Sequence, residues 1–298
     1  MQDNPDILVS VIIATYNRNQ VLCETLDSVF AQRYEPFEII VVDQSAQHEP
    51  LTQAYLETHQ SRFHWIRLEK PGLPNARNVG IREAKGQILI FCDDDVELAS
   101  DWILYHVANY SDPQVGCVGG RIIERGLPVL PNQDNDAYIN IWGRPKGNFT
   151  STRRTEIKTV RGGNMSVRKS VFEKIGLFDT HYIGSATLEE TDLTYRIVNT
   201  GYNAVFDPRA ELLHKPQLDG NDGSRKNKRI VWYRNYLHNS TLFLLKNKPR
   251  YEVIPFLLSQ FLIAFKQGFL GERDLRAFFQ IFSGVYAGFR SYKIQSSV

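Results

Sequence analysis

The chain has 298 residues, 42% of them hydrophobic and 23% charged, which excludes a disordered protein and allows one α/β domain of about 200 residues with a smaller appendage. Three cysteines without CxxC spacing exclude a disulfide framework, and Met1 to Asp6 lack a basic region followed by an apolar run, so a cytoplasmic protein is expected. The net charge of +2 hides an asymmetry: residues 224–298 hold 13 Lys/Arg against 3 Asp/Glu, leaving 22 against 30 upstream, so the basic end suits an anionic surface while the acidic body repels phosphate unless a cation intervenes.

Val9 to Ala14 is a β-branched apolar run too short for a helix, and Asn19 to Gln32 places Val21, Leu22, Leu26, Val29 and Phe30 on one helical face. The alternation repeats. Strands are predicted over Phe37–Val42, Phe63–Leu68 and Gln87–Cys92, and helices over Pro50–His59 and Asn75–Ala84. This order implies a mostly parallel sheet covered by helices on both faces. Beyond it come a helix from Trp102 to about Tyr110 and a strand over Val115–Ile123. A Gly/Pro/Asn-rich stretch, Gly126–Gly147, is expected to be a mobile loop. Thr159–Val167 reads as extended, Lys169–Ile175 as helical, and Glu189–Asn199 as a helix stopped by Gly201. Short strands follow over Ala204–Phe206 and Glu211–His214. Polar residues Asp219–Lys228 place a linker near residue 220, dividing a domain over 1–220 from a basic, aromatic, helical region over 221–298.

In open α/β sheets, ligands bind beyond the carboxyl ends of the strands. Those ends carry Thr15-Tyr16-Asn17-Arg18, Asp43 with Gln44, and Asp93-Asp94-Asp95. A ring to stack on a base, an acceptor for base or ribose, and a carboxylate cluster are what a nucleotide diphosphate needs. Three adjacent carboxylates persist at low cost when a cation relieves them, and oxygen ligands favour Mg²⁺ or Mn²⁺. Such an ion also bridges diphosphate oxygens. The plainer reading is a solvated acidic turn capping the next helix.

These residues resemble the family-2 glycosyltransferases of the GT-A fold. The resemblance rests on Val9–Arg18, on Gly72–Gly80, on Ile88–Asp95, on Gly162-Gly163-Asn164 with Met165 and Ser166, and on Glu189–Leu193, and covers roughly residues 7–215. It implies that Thr15 and Tyr16 wall the base pocket and that Asp43 meets base or ribose. Asp93 and Asp95 would be the outer members of a DxD motif touching ribose and metal, and His214 a further metal ligand. Arg77 would face the diphosphate. The strand-end residues Asn17, Arg18 and Asp94 join the expected donor site. Gln44 stands where the family often has a second Asp.

Inversion at the anomeric carbon requires a base away from the metal to take the acceptor hydroxyl's proton. Glu189-Glu190 stands where the family usually has Glu-Asp, which makes Glu190 the expected base and Asp192 the fallback. Gly163 and Asn164 would wall the acceptor or donor sugar, since glycine lets backbone approach a ligand.

The expected protein is thus a metal-dependent inverting glycosyltransferase using a nucleotide-diphosphate sugar and a glycan or lipid-linked acceptor, at work in the cytoplasm or on the inner face of the membrane. The C-terminal helices have two open readings. They are a basic amphipathic surface for an anionic membrane, or a pack against the catalytic domain or a second copy in a homodimer. A nucleotidyltransferase wants a Gly-rich phosphate loop after the first strand, and a dehydrogenase wants GxGxxG there; neither motif is present. A nucleic-acid binder would leave the aspartates unexplained, so no nucleic acid is expected. A catalytically silent sugar-nucleotide binder keeps every ligand and lacks only turnover.

Overall fold

The computed structural model describes residues 7–215, 229–265 and 275–295. Among these, the main sheet has nine strands. Its parallel half is β1 (Val9–Thr15), β2 (Phe37–Asp43), β3 (His64–Arg67) and β4 (Ile88–Cys92), in the order β3-β2-β1-β4. Strand β10 (Asn164–Arg168) then enters antiparallel between β4 and β6 (Val115–Glu124). Strand β11 (Asn203–His214) runs parallel to β6, with β5 (Val96–Leu98) and β9 (Thr155–Glu156) antiparallel on it. Six strands therefore point one way and β5, β9 and β10 the other, which agrees with a mostly parallel α/β sheet.

Alternation along each strand sorts the core. Val9, Val11, Ile13, Val41 and Ile90 face one side. There α1 (Gln20–Phe30), α2 (Pro50–His59) and α4 (Trp102–Ala108) cover them with Leu22, Leu26, Leu56 and Trp102. Ile12, Ile40, Leu89 and Phe91 face the other, beneath α3 (Leu73–Glu83), α5 (Val171–Ile175) and α6 (Glu189–Asn199). Each face removes a continuous apolar layer from water, the main favourable term in folding.

Several expectations are revised. The two late strands are one, β11, whose register with β6 shifts between Asp207 and Glu211. The turn after the aspartates continues into β5, too short to show a periodicity. Within 126–147 the chain forms a hairpin, β7 (Tyr138–Ile139) with β8 (Pro145–Lys146), and buries Asn135, Ala137 and Ile139. The loop is thus partly built into a core. The linker expected over 219–228 lies outside the described residues.

Helices α7 (Arg229–Asn247), α8 (Arg250–Phe265) and α9 (Leu275–Gln295) follow. Leu237, Leu242, Phe243, Val253 and Phe256 form a third core with Ile139, Tyr182, Leu188 and Tyr195. The C-terminal helices are therefore packed onto the catalytic body. Beside this core lies a polar node. Lys246 Nζ donates to Asp179 Oδ2 (2.6 Å), Gln295 Nε2 donates to the same oxygen (2.5 Å), and Lys246 lies 3.0 Å from Asp192 Oδ1. Asn247 and Arg196 also donate to Asp192. Burial pushes the Asp179 carboxyl up, but the hydrogen bonds and charge of Lys246, helped by Gln295, win and hold it well below the usual carboxylate range.

Candidate active site

Three strand ends deliver the expected residues to one edge of the sheet. Pairing of Thr15 with Asp43 in the β1–β2 ladder sets the first two side by side. The second ends in a hydrogen-bonded knot: Asp43 accepts from the Ser45 backbone N–H (2.8 Å), from Trp65 Nε1 (3.2 Å) and at 2.8 Å from His48 Nε2. The other His48 nitrogen lies 2.9 Å from the Arg18 carbonyl. Gln44 bridges as an amide, accepting from Gly72 N–H (2.6 Å) and donating to the Thr15 carbonyl (3.2 Å), which a carboxylate could not do. Asn17 takes a left-handed turn (φ 53°) that Asn tolerates well, and its N–H donates to Ser45 Oγ. Tyr16 is left half exposed.

Strand β4 ends in the aspartates. Arg18 reaches across to them, with Nε 3.3 Å from Asp94 Oδ1 and Nη2 3.0 Å from Asp95 Oδ2. Antiparallel pairing of His214 with Val96 brings the imidazole alongside, with Nε2 3.2 Å from Asp95 Oδ1. One ligand atom each from Asp93, Asp95 and His214 lies within 4.8 Å of the others. Despite Arg18, burial pushes the Asp94 carboxyl up to about 7, with Asp95 and Asp93 adding to the rise. Two carboxylates and an imidazole in such a setting fit a divalent cation.

From Asp93 and His214 a cleft of about 700 Å³ extends to Arg77, Gly163, Glu189 and Glu190. Its two glutamates differ sharply. Glu189 is buried and ion-paired with the buried Arg77, whose Nη2 also lies 3.8 Å from Asp93. Glu190 lines the cleft half-buried, and among the described residues no other side chain hydrogen-bonds to its carboxyl or forms an ion pair with it. Burial holds its carboxyl above the usual range, with its own backbone N–H, Arg77 and Arg161 opposing the rise. The approach to α6 passes through Ala186 (φ 50°) and Leu188 (φ 75°), left-handed conformations that non-glycine residues rarely adopt and that concentrate at functional sites.

Glycines 162 and 163 face charged side chains. A Cβ on Gly162 would sit 2.6 Å from Arg77 Nη1, and one on Gly163 would overlap the Asp93 carboxylate. Gly163→Ala is expected to displace Asp93 and lower the affinity of this edge for added Mn²⁺ by roughly tenfold, with a melting temperature close to the parent's, as isothermal titration and a thermal melt would show.

Not every expected residue faces the cleft. Thr15, Tyr16, Asn17, Arg18, Asp43, Asp94 and Asp95 lie outside its lining, on the strand-end shelf that Arg18 and Asp95 connect to His214. Asn164 is buried and saturated: its Oδ1 accepts from Trp102 Nε1 and lies 3.0 Å from His106 Nε2, while its amide donates to the Arg121 and Ala210 carbonyls. It organises the core beneath Gly163 and does not present its side chain to a sugar. Asp192, the fallback base, is buried on the opposite side of α6 within the polar node. Among the lining residues that the sequence did not single out are Arg161 and Trp232. The second comes from α7, and its ring stacks at 5.5 Å on Tyr236.

Residues 10–176 match the family described as glycosyl transferase family 2. A glucosyl-dolichyl phosphate glucuronosyltransferase of Haloferax volcanii is 27% identical over 216 residues, covering 70% of this chain and 69% of that one. A poly-beta-1,6-N-acetyl-D-glucosamine synthase of Staphylococcus aureus is 25% identical over 205 residues, covering 68% and 48%. An uncharacterised Sinorhizobium fredii protein is 28% identical over 221 residues, a match that spans only 24% of its length. Among solved structures, GalNAc-T7 with UDP, GalNAc and Mn²⁺ superposes with a TM-score of 0.64 at 21% identity, covering 81% of this chain and 48% of the other. The mannosyltransferase PcManGT of Pyrobaculum calidifontis with GDP-Man and Mn²⁺ gives 0.56 at 20% identity, covering 94% and 74%. Both likenesses are of fold.

Proposed function

The chain belongs to glycosyl transferase family 2, and from that premise we propose that it transfers a sugar from a nucleotide-diphosphate donor to a hydroxyl of a glycan or lipid-linked acceptor, with inversion. The observation that carries this reading is one cleft that holds Asp93 and His214 together with Glu190, beside a Glu189 already neutralised by Arg77.

In this reading Asp93, Asp95 and His214 hold a divalent cation, with Mn²⁺ the first candidate because two neighbours of the same fold carry it. Bound there, the ion neutralises charge on the departing nucleotide diphosphate. Thr15, Tyr16 and the Asp43 knot hold base and ribose on the shelf. Arg77 presents a cation beside Asp93, toward the diphosphate. Glu190 takes the proton of the acceptor hydroxyl as that oxygen forms its bond to the anomeric carbon and the bond from that carbon to phosphate oxygen breaks. Residues to about 220 carry out this chemistry, and the C-terminal helices complete the cleft with Trp232, an apolar platform for the acceptor sugar. Three free cysteines fit a reducing compartment, and we place the reaction in the cytoplasm.

The reading is tested by thermal shift with uridine, guanosine and thymidine diphosphate sugars, each with and without Mn²⁺. A ligand bound at 100 times its Kd adds about 2.7 kcal/mol to stability. One nucleotide raising the melting temperature only with the metal is the expected result. Uniform indifference to every nucleotide, in folded protein, removes the donor site.

A further inference from the structure

Helix α8 is apolar on both sides. Val253, Phe256 and Gln260 point into the molecule and are buried, which accounts for one face. The opposite face, where a water-facing helix is polar, carries Ile254, Leu258, Phe261 and Leu262. Helix α9 likewise carries an apolar outer side. Its inner side is held by Ser291, whose Oγ lies 2.9 Å from His238 Nε2, and by Gln295 on Asp179. Its outer side carries Phe279, Phe282 and Tyr286. Ile254, Leu258, Leu262, Phe279, Phe282 and Tyr286 are 44–71% exposed. Between the helices runs an apolar groove of about 480 Å³, bridged by an edge-on contact between Phe261 and Phe282.

Charge is arranged around this apolar face. Arg250 stands at the start of the α8 stripe, one turn before Ile254, and Arg290 continues the α9 stripe one turn beyond Tyr286; both are exposed. They belong to the segment with 13 basic against 3 acidic residues. Among the described residues no helix is long and apolar enough to cross a membrane. Exposed aromatics and leucines with flanking arginines, on helices that do not cross, are the features of a surface that lies in the plane of a membrane interface.

We propose that the outer face of α8 and α9 docks flat onto an anionic lipid bilayer, with the apolar stripes in the headgroup–acyl boundary and Arg250 and Arg290 on lipid phosphates. A second copy of this face is the poorer occupant, because two-fold pairing sets basic surface against basic surface. Trp232 ties the face to the cleft, since α7 carries it and packs between the catalytic body and α9. A docked protein then works within reach of the membrane surface. Docking does not depend on the transfer chemistry, so its test reads binding alone.

The test is co-sedimentation of the full chain with vesicles of phosphatidylcholine, pure or with about one third phosphatidylglycerol. Anionic vesicles are expected to bind it roughly tenfold better, with the preference fading in high salt. Ile254→Ser with Leu258→Ser, both at exposed positions, is expected to reduce binding roughly tenfold at an unchanged melting temperature. Arg250→Glu with Arg290→Glu is expected to abolish the anionic preference. Failure of the parent chain to sediment with anionic vesicles overturns the proposal. So does a chain that runs as a dimer broken by the serine substitutions, which assigns the face to a second copy. Donor-nucleotide binding, measured separately by thermal shift, reports on the cleft whichever way the vesicles decide.

Discussion

Replacing Glu190 by Gln is expected to lower kcat by roughly 10²–10⁴-fold while leaving metal-supported nucleotide binding intact. The substitution keeps shape and removes only the capacity to accept a proton. Its selectivity follows from the cleft, where Glu190 is not one of the Asp93, Asp95 and His214 ligand group and shares no ion pair with another described side chain. The pH profile makes the assignment specific. A base must be deprotonated to act, so the rate rises with pH through its pKa. Because burial holds that carboxyl above the ordinary glutamate range, the acid limb of kcat should lie above about pH 4.3, the value for a free glutamate. The limb should vanish from the residual activity of the Gln variant. Full activity in that variant would remove Glu190 as base, and loss of nucleotide binding along with turnover would make it a donor ligand. A chain that binds nucleotide sugar but is equally silent with Glu and Gln would be a binder without turnover.

Arg77→Met is expected to cost about 3–5 kcal/mol of stability, read from urea unfolding. Both partners of the Arg77–Glu189 pair are buried. Removing the guanidinium alone leaves the Glu189 carboxylate in a low-dielectric site, and its Oε2 already has no hydrogen-bond partner. Adding Glu189→Gln to the same chain removes the stranded charge and should recover most of the loss. Activity should not recover with it, because Arg77 also stands 3.8 Å from Asp93 at the head of the cleft. A single variant as stable as the parent would mean that the pair is not sequestered from water.

Much of this architecture is written in local pattern. The β-branched runs of β1, β2 and β4 and the amphipathic α1 and α3 are each set by residues within one element, and the strand-end rule then brings Thr15, Asp43 and Asp93 to one edge. What could not be read locally depends on partners far apart in the chain. Glu189 and Glu190 are chemically alike, and only Arg77, 112 residues away, makes one a structural anion and leaves the other facing the cleft. Asp192 looked like a spare base until Lys246 and Asn247 of α7 claimed it. Asn164 sits in a glycine-rich motif that points to a ligand, yet Trp102 and His106 of α4 turn its side chain inward. Trp232 is one aromatic among many in a basic helix, with no local signal to mark it as part of the cleft.

The node joining Asp179 and Asp192 to Lys246, Asn247 and Gln295 bears on how the protein can be engineered. Although the composition changes near residue 220, the two parts are not exchangeable modules. A chain cut after β11, or one given another relative's C-terminal helices, would leave Asp179 without Lys246 and Gln295, and Asp192 with Arg196 alone, on and beside the very helix that begins with Glu189 and Glu190. Any graft in this region must transplant the acid side and the basic side together, as a matched lock.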